Sequence, residues 1–106
     1  MKAIVVLFFF SFLFQWSIAQ SSIQGQTIDV KEKPVPFVNV FMVDKAGKET
    51  GVNTVTDSVG KYLFGNLLPG KYYLKFSRTG YKTQRTKAFT VVKDLTTFID
   101  AQLLKE

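Results

Sequence analysis

The chain contains no cysteine and no histidine. The first absence rules out disulfide staples, thiol chemistry and a lipid-modified N-terminal cysteine. The second removes the commonest general base and, together with cysteine, the usual zinc ligands. The one tryptophan, Trp16, and five of the eleven phenylalanines fall within the first 16 residues. Acidic residues are few, eight against fourteen basic ones, and they are scattered rather than clustered. Asp44 and Asp57 sit in no oxygen-dense loop of the kind that holds calcium. With no base, nucleophile or metal set in view, an enzyme is not expected, nor is any metal or cofactor.

What is present begins with an address. Lys2 gives a short positive start, Ala3 to Trp16 are almost all apolar, and Ser17-Ile18-Ala19 offers small residues at the −3 and −1 positions of a cleavage site. This is the pattern of a helical secretory signal peptide over residues 1–19, with Gln20 as the new N-terminus. The alternative is an uncleaved anchor, but the apolar run is short of the ~20 residues that a span needs. The expectation is therefore export to the periplasm, outer membrane or medium, with no membrane span after cleavage. Export also takes the chain away from nucleic acid, which is not an expected partner.

The remaining 87 residues make one domain, 20–106, with 13 basic and 8 acidic residues and a net charge of +5. That field favours anionic surfaces, or serves only solubility. A domain this small buries only about 60–65% of its unfolded surface, so an aromatic-rich core must carry its stability.

The pattern along this part is one of strands. Ser22–Val30 reads as the first, Phe37–Asp44 as the second and Gly51–Thr56 as the third. Lys31 to Pro36 is a charged connection whose prolines place it at an edge or in a loop. Asp44–Lys48 is a turn. Asp57-Ser58-Val59-Gly60 is a tight reversal in which the Asp57 carboxylate accepts backbone N–H groups and Gly60 takes a left-handed conformation. Then Tyr62 and Phe64 alternate before Leu68-Pro69-Gly70, and Tyr72, Leu74 and Phe76 alternate after it. Pro-Gly favours reversal, so these two segments are expected to pair as a hairpin, Phe64 facing Tyr72, Leu63 facing Tyr73 and Tyr62 facing Leu74. Thr83–Val92 and Thr96–Leu104 complete the set, with Ile99, Ala101 and Leu103 on the apolar face. About seven short strands with a turn signal every 8–12 residues predict an all-β sandwich or barrel.

One apparent motif is dismissed. Gly65–Lys71 matches the start of a phosphate-binding loop, but Tyr72 stands where Ser or Thr would hold Mg²⁺, and a strand follows instead of a helix. The candidate functional residues are apolar ones predicted to face outward. If Val38, Val40 and Met42 face the core, Phe37, Phe41 and Val43 face solvent, and Leu63 and Tyr73 pair on the outside of the hairpin. These five form a candidate partner surface, or are scattered harmlessly.

The ordered set Ile23-x-Gly25, Pro34-Val35-Pro36-Phe37-Val38-Asn39-Val40, Thr56-Asp57-x-x-Gly60-Lys61-Tyr62-x-Phe64, Asn66-Leu67-x-Pro69-Gly70-x-Tyr72-x-Leu74 and Gly80-Tyr81 resembles the carboxypeptidase regulatory-like domains. The resemblance implies a seven-stranded Greek-key β-sandwich of the transthyretin (prealbumin) type. In particular it looks like the N-terminal extension of TonB-dependent outer-membrane receptors of Bacteroidetes, where such a domain precedes plug and barrel. Residues 1–106 themselves include no plug or barrel pattern, so a free-standing domain and a receptor fragment are both open. The resemblance implies a non-catalytic accessory role at the outer membrane, with a receptor or an associated lipoprotein as partner. The alternative is a free carbohydrate- or peptide-binding module; the sugar reading is weakened because the domain has no tryptophan. In the related pilin-type Cna B sandwich a Lys–Asn crosslink needs a Glu two residues after the Leu of Tyr-x-Leu. Phe76 occupies that position here, so no such bond is expected.

Overall fold

The computed structural model describes residues 21–106, and the expected leader, 1–19, lies outside them. Nine short strands, with no helix among the described residues, form two facing sheets. They are β1 (Ser22–Ile28), β2 (Asn39–Asp44), β3 (Glu49–Val55), β4 (Lys61–Phe64), β5 (Gly70–Ser77), β6 (Gln84–Arg85), β7 (Phe89–Val91), β8 (Thr96–Phe98) and β9 (Ala101–Gln102). One sheet has the order β4-β1-β8, with β9 also on β1; the other runs β3-β2-β5-β6, with β7 also on β5. All-β class, sandwich architecture and the first five strands agree with expectation. The count exceeds seven because each of the last two predicted strands is broken in the middle.

Both breaks have local causes. Between β6 and β7 the Thr86 N–H still donates to Leu74 O at 2.9 Å, but the Leu74 N–H goes to the Thr86 hydroxyl at 3.0 Å, which donates in turn to Lys87 O at 2.9 Å, so a side chain takes the place of one ladder bond. Between β8 and β9 the chain arches at Ile99-Asp100 over Gly25. The ladder is patched there by the Asp100 carboxylate, which accepts the Gln26 N–H at 2.9 Å, and by Ile99 N–H donating to Gln24 O at 2.9 Å. Glycine is required at 25 because a Cβ would lie 1.7 Å from Ile99 O.

The expected hairpin is not formed. β4 pairs with β1 (Ile23 opposite Phe64, Gly25 opposite Tyr62), whereas β5 pairs with β2 (Val40 opposite Phe76, Met42 opposite Leu74). Residues 65–69 therefore cross from one sheet to the other, with Asn66 in a left-handed conformation at φ 54°. Alternation specifies which side chains point inward; it does not specify which strand lies alongside. Tyr62 and Phe64 from one sheet and Leu74 and Phe76 from the other are all buried. They meet through the interior, the Tyr62 and Phe76 rings edge to face at 5.9 Å between centroids. With Ile23, Val38, Val40, Met42, Val91 and Leu103 they build the core.

Three connections share one construction. Asp29, Asp44 and Asp57 each accept two backbone N–H bonds on one carboxylate oxygen, from the residues two and four positions on, at 2.8–3.0 Å. In each, the fourth residue is left-handed: Glu32 at φ 63°, Gly47 at 86° and Gly60 at 78°. In each, the fifth is lysine. The Asp57 reversal matches expectation. The Asp29 turn is silent in the sequence because a glutamate occupies the place where glycine is the usual signal. As predicted, the proline segment that follows it runs at an edge. Pro34 makes an isolated bridge to Ile28, and Val35 is pinned into the core by mutual bonds with Thr27 at 2.8 and 2.9 Å.

Candidate functional site

The five candidate surface residues are divided between the two sheets. Phe37 is exposed, with φ 57°, just before β2. Phe41 and Tyr73 are half-buried on the outer face of the five-stranded sheet. Leu63 lies on β4 in the opposite sheet, 61% exposed, so it cannot pair with Tyr73. Val43, expected outside, is fully buried at 0% exposure although it is not part of the interior core. The reason is its place on a central strand. Tyr73 flanks it on β5 and Glu49 on β3, so it has a paired strand on either side.

The side chains of this outer face are ordered by charge and aromatic contacts. Lys75 Nζ sits 4.9 Å from the Phe41 ring centroid and 3.0 Å from a Glu49 carboxylate oxygen. The Arg85 guanidinium lies 5.8 Å from the Tyr73 ring centroid, and Arg78 sits likewise over Tyr81 at 5.7 Å. An aromatic face attracts a cation through its quadrupole. Phe41 and Tyr73 are therefore platforms for basic side chains rather than a bare apolar patch.

The opposite face presents a different set. Gln24 on β1 has Leu63 on one side and Phe98 on the other in the strand register. Phe98 is 72% exposed, the more open of these two apolar neighbours. Its position was legible: once Ile99, Ala101 and Leu103 face inward, Phe98 must face out. Beside it lies a depression of about 290 Å³ lined by Gln24, Gln26, Lys61, Phe98 and Asp100, floored by Gly25 and Tyr62. The Tyr62 hydroxyl donates to Ile99 O, and burial, with the nearby Asp100 charge, pushes its pKa well above the usual phenol value. It is a structural donor at neutral pH.

Among the described residues no three acidic side chains come together in a way that could hold a metal. Asp57 and Asp44 lie in separate turns, each carboxylate committed to its own backbone. The carboxyls of Asp29 and Asp57 are held below the usual range, first by the backbone N–H of Lys33 and of Lys61 respectively. Gly65–Lys71 is the crossover between sheets, leading into β5 and not into a helix. Phe76 is buried in the core, with no carboxyl at the place a crosslinking glutamate would take.

Fold and surface together define a two-sheet β-sandwich of the prealbumin and pilin type. The chain belongs to the carboxypeptidase regulatory-like domain family, which it matches over residues 22–104. It is 37% identical over 105 residues to the TonB-dependent receptor P39 of Formosa agariphila, a match covering 97% of this chain. The chain spans only 9% of the length of that receptor. Among solved structures it is similar to BcpA, the major pilin subunit of Bacillus cereus, with a TM-score of 0.68 and 19% identity over 82% of this chain and 29% of that one. GBS52, the minor pilin of Streptococcus agalactiae, gives a TM-score of 0.66 and 21% identity, covering 84% and 46%. A 3-chlorocatechol 1,2-dioxygenase from Rhodococcus opacus is similar at a TM-score of 0.59 and 14% identity, over 85% of this chain and 61% of that one. At these identities the likenesses describe the fold alone.

Proposed function

We propose that this is an exported, non-catalytic accessory domain that works at the outer membrane in association with a TonB-dependent receptor. The observation that carries the reading is the 37% identity to such a receptor. A match covering 97% of the chain also runs into residues 1–20, so it takes in most of the apolar leader. We assign residues 1–19 to export and 20–106 to the working domain, located in the periplasm or at the outer membrane. Its partner is a protein of that membrane, a receptor or an associated lipoprotein.

A second reading, a carbohydrate- or peptide-binding module, draws on one feature: the exposed Phe98 beside the amides of Gln24 and Gln26, Lys61 and the Asp100 carboxylate. An apolar ring flanked by a few polar groups is the usual make-up of a small-ligand site. The two readings separate in paired experiments. The tagged chain, expressed with its leader, is recovered from the cell envelope and used to capture outer-membrane proteins, and the same preparation is applied to a glycan array. Retention of a TonB-dependent receptor, lost on a Leu63→Ser/Phe98→Ser or a Phe41→Ser variant, supports the first reading. Glycan binding without receptor capture overturns it.

A further inference from the structure

The excess positive charge of the domain is confined to one part of the fold. Between Lys71 and Lys93 the chain carries seven basic residues and no acidic one. All other described residues together carry six basic and eight acidic, a net negative balance. The basic segment is β5, β6, β7 and their connections, which form one side of the five-stranded sheet. Strand register places Lys71, Tyr73 and Lys75 on one face of β5, with Arg85 beside Lys75. That face is the outer one, since Leu74 and Phe76 point into the core. One acidic residue shares it: Glu49, which pairs with Lys75. Among the described residues the other six basic side chains of the segment form no ion pair. Aromatic rings hold Lys75, Arg78 and Arg85 against the surface, which lowers the entropy lost when they meet a partner.

We propose that this face docks on an anionic phospholipid surface. The charges are spread over a sheet face rather than converging on a cleft: none of them lines the depression beside Phe98, and Arg85 is the one of them that borders the smaller depression between β6 and β9, beside Asp100. Lysines dominate the segment, five to two arginines, and they act as point charges without the forked geometry that selects a single carboxylate. Dispersed, unpaired positive charge on a broad face is complementary to a field of lipid phosphates. Such docking would hold the domain flat on its membrane, with the Phe98 face turned away. The inference goes beyond the receptor-associated reading and stands without it, because the assay contains no receptor.

The full chain, expressed with its leader and recovered from the envelope, is sedimented with vesicles of phosphatidylglycerol and phosphatidylcholine (3:7 by composition) and with pure phosphatidylcholine. Binding to the anionic vesicles is expected, weakening steeply with salt. Each basic residue near such a surface contributes about fivefold, so Lys71→Glu/Arg85→Glu/Lys87→Glu should weaken binding by about a hundredfold or more. The control Lys31→Glu/Lys33→Glu/Lys61→Glu, in the Asp29 turn and on β4 of the opposite sheet, changes net charge equally, and should weaken it by no more than about fivefold. Circular dichroism checks the fold. If the first set does not fold, the neutral Lys71→Gln/Arg85→Gln/Lys87→Gln set replaces it, with an expected loss of at least about tenfold. Equal losses from both sets overturn the proposal, as does equal binding to the two vesicles. Capture by polyglutamate without vesicle binding assigns the face to an acidic polypeptide instead, and also overturns it.

Discussion

Replacing Gly25 by alanine tests the central construction of the four-stranded sheet. A Cβ at this position would stand 1.7 Å from Ile99 O and 2.9 Å from the Tyr62 hydroxyl oxygen. The first contact is with backbone, which cannot swing aside as a side chain would. The arch at Ile99-Asp100 must lift by more than 1 Å for ordinary contact to be restored, by roughly the difference from a normal 3.4 Å approach. Three hydrogen bonds depend on the arch: Tyr62 to Ile99 O, Ile99 N–H to Gln24 O, and Gln26 N–H to the Asp100 carboxylate. At a net ~1 kcal/mol each, their loss costs about 3 kcal/mol, and a mostly buried Tyr62 hydroxyl without an acceptor adds at least about 1. For a domain of this size about 4 kcal/mol lowers Tm by roughly 15–30 °C, against a typical total stability of about 5–15 kcal/mol. Thermal denaturation of the full chain, followed by circular dichroism, gives the value. The mechanism also predicts coupling. In a Tyr62→Phe background the hydroxyl is already gone, so the double variant should cost about 2 kcal/mol less than the sum of the two single changes, about 1 for the shared hydrogen bond and about 1 for the stranded hydroxyl. A Tm drop of under about 5 °C, or full additivity with Tyr62→Phe, would refute the account.

Other predictions follow from single residues. Glu32→Gly should stabilise by about 0.5–1 kcal/mol in urea titration, since glutamate at φ 63° bears a left-handed penalty that glycine lacks, partly offset by glycine's greater unfolded entropy. Val43→Ser should destabilise by about 2–3 kcal/mol because Val43 is fully buried, whereas Leu63→Ser should stay within about 0.5 kcal/mol; similar melting curves for the two variants would contradict the burial of Val43. The pH profile has a defined sign. Asp29 and Asp57 have folded pKa values below their unfolded ones, so each contributes stability above the unfolded value of about 3.9 and loses it as pH falls through the folded value. Stability should decline below about pH 4, and Asp57→Asn should flatten that decline in acid titrations.

Much of the fold is legible in the residues themselves. The alternation of Tyr62 and Phe64, of Leu74 and Phe76, and of Val38, Val40 and Met42 specifies which side chains are buried, because a strand turns successive side chains to opposite faces. The Asp57 turn is equally local: one carboxylate, two near N–H groups and a glycine. So is the outward position of Phe98 once Ile99 is placed inside. Charge is legible too, as seven basic residues without an acid between 71 and 93.

Strand partnership, by contrast, is a long-range choice. Phe64 could satisfy its apolar face beside Tyr72 or beside Ile23, and only packing of the whole chain selects Ile23, 41 residues away, over the neighbour across Pro69. Val43 is hidden for the same reason: its cover comes from strands that meet it only after the sheet has formed. Periodicity and turn chemistry act over a few residues, so the sequence by itself determined faces, turns, family and charge. The tertiary structure alone decided that the Leu-Pro-Gly segment joins two sheets, that the cations of β5 and β6 lie on aromatic rings, and that the chain arches so closely over Gly25 that no side chain fits beneath.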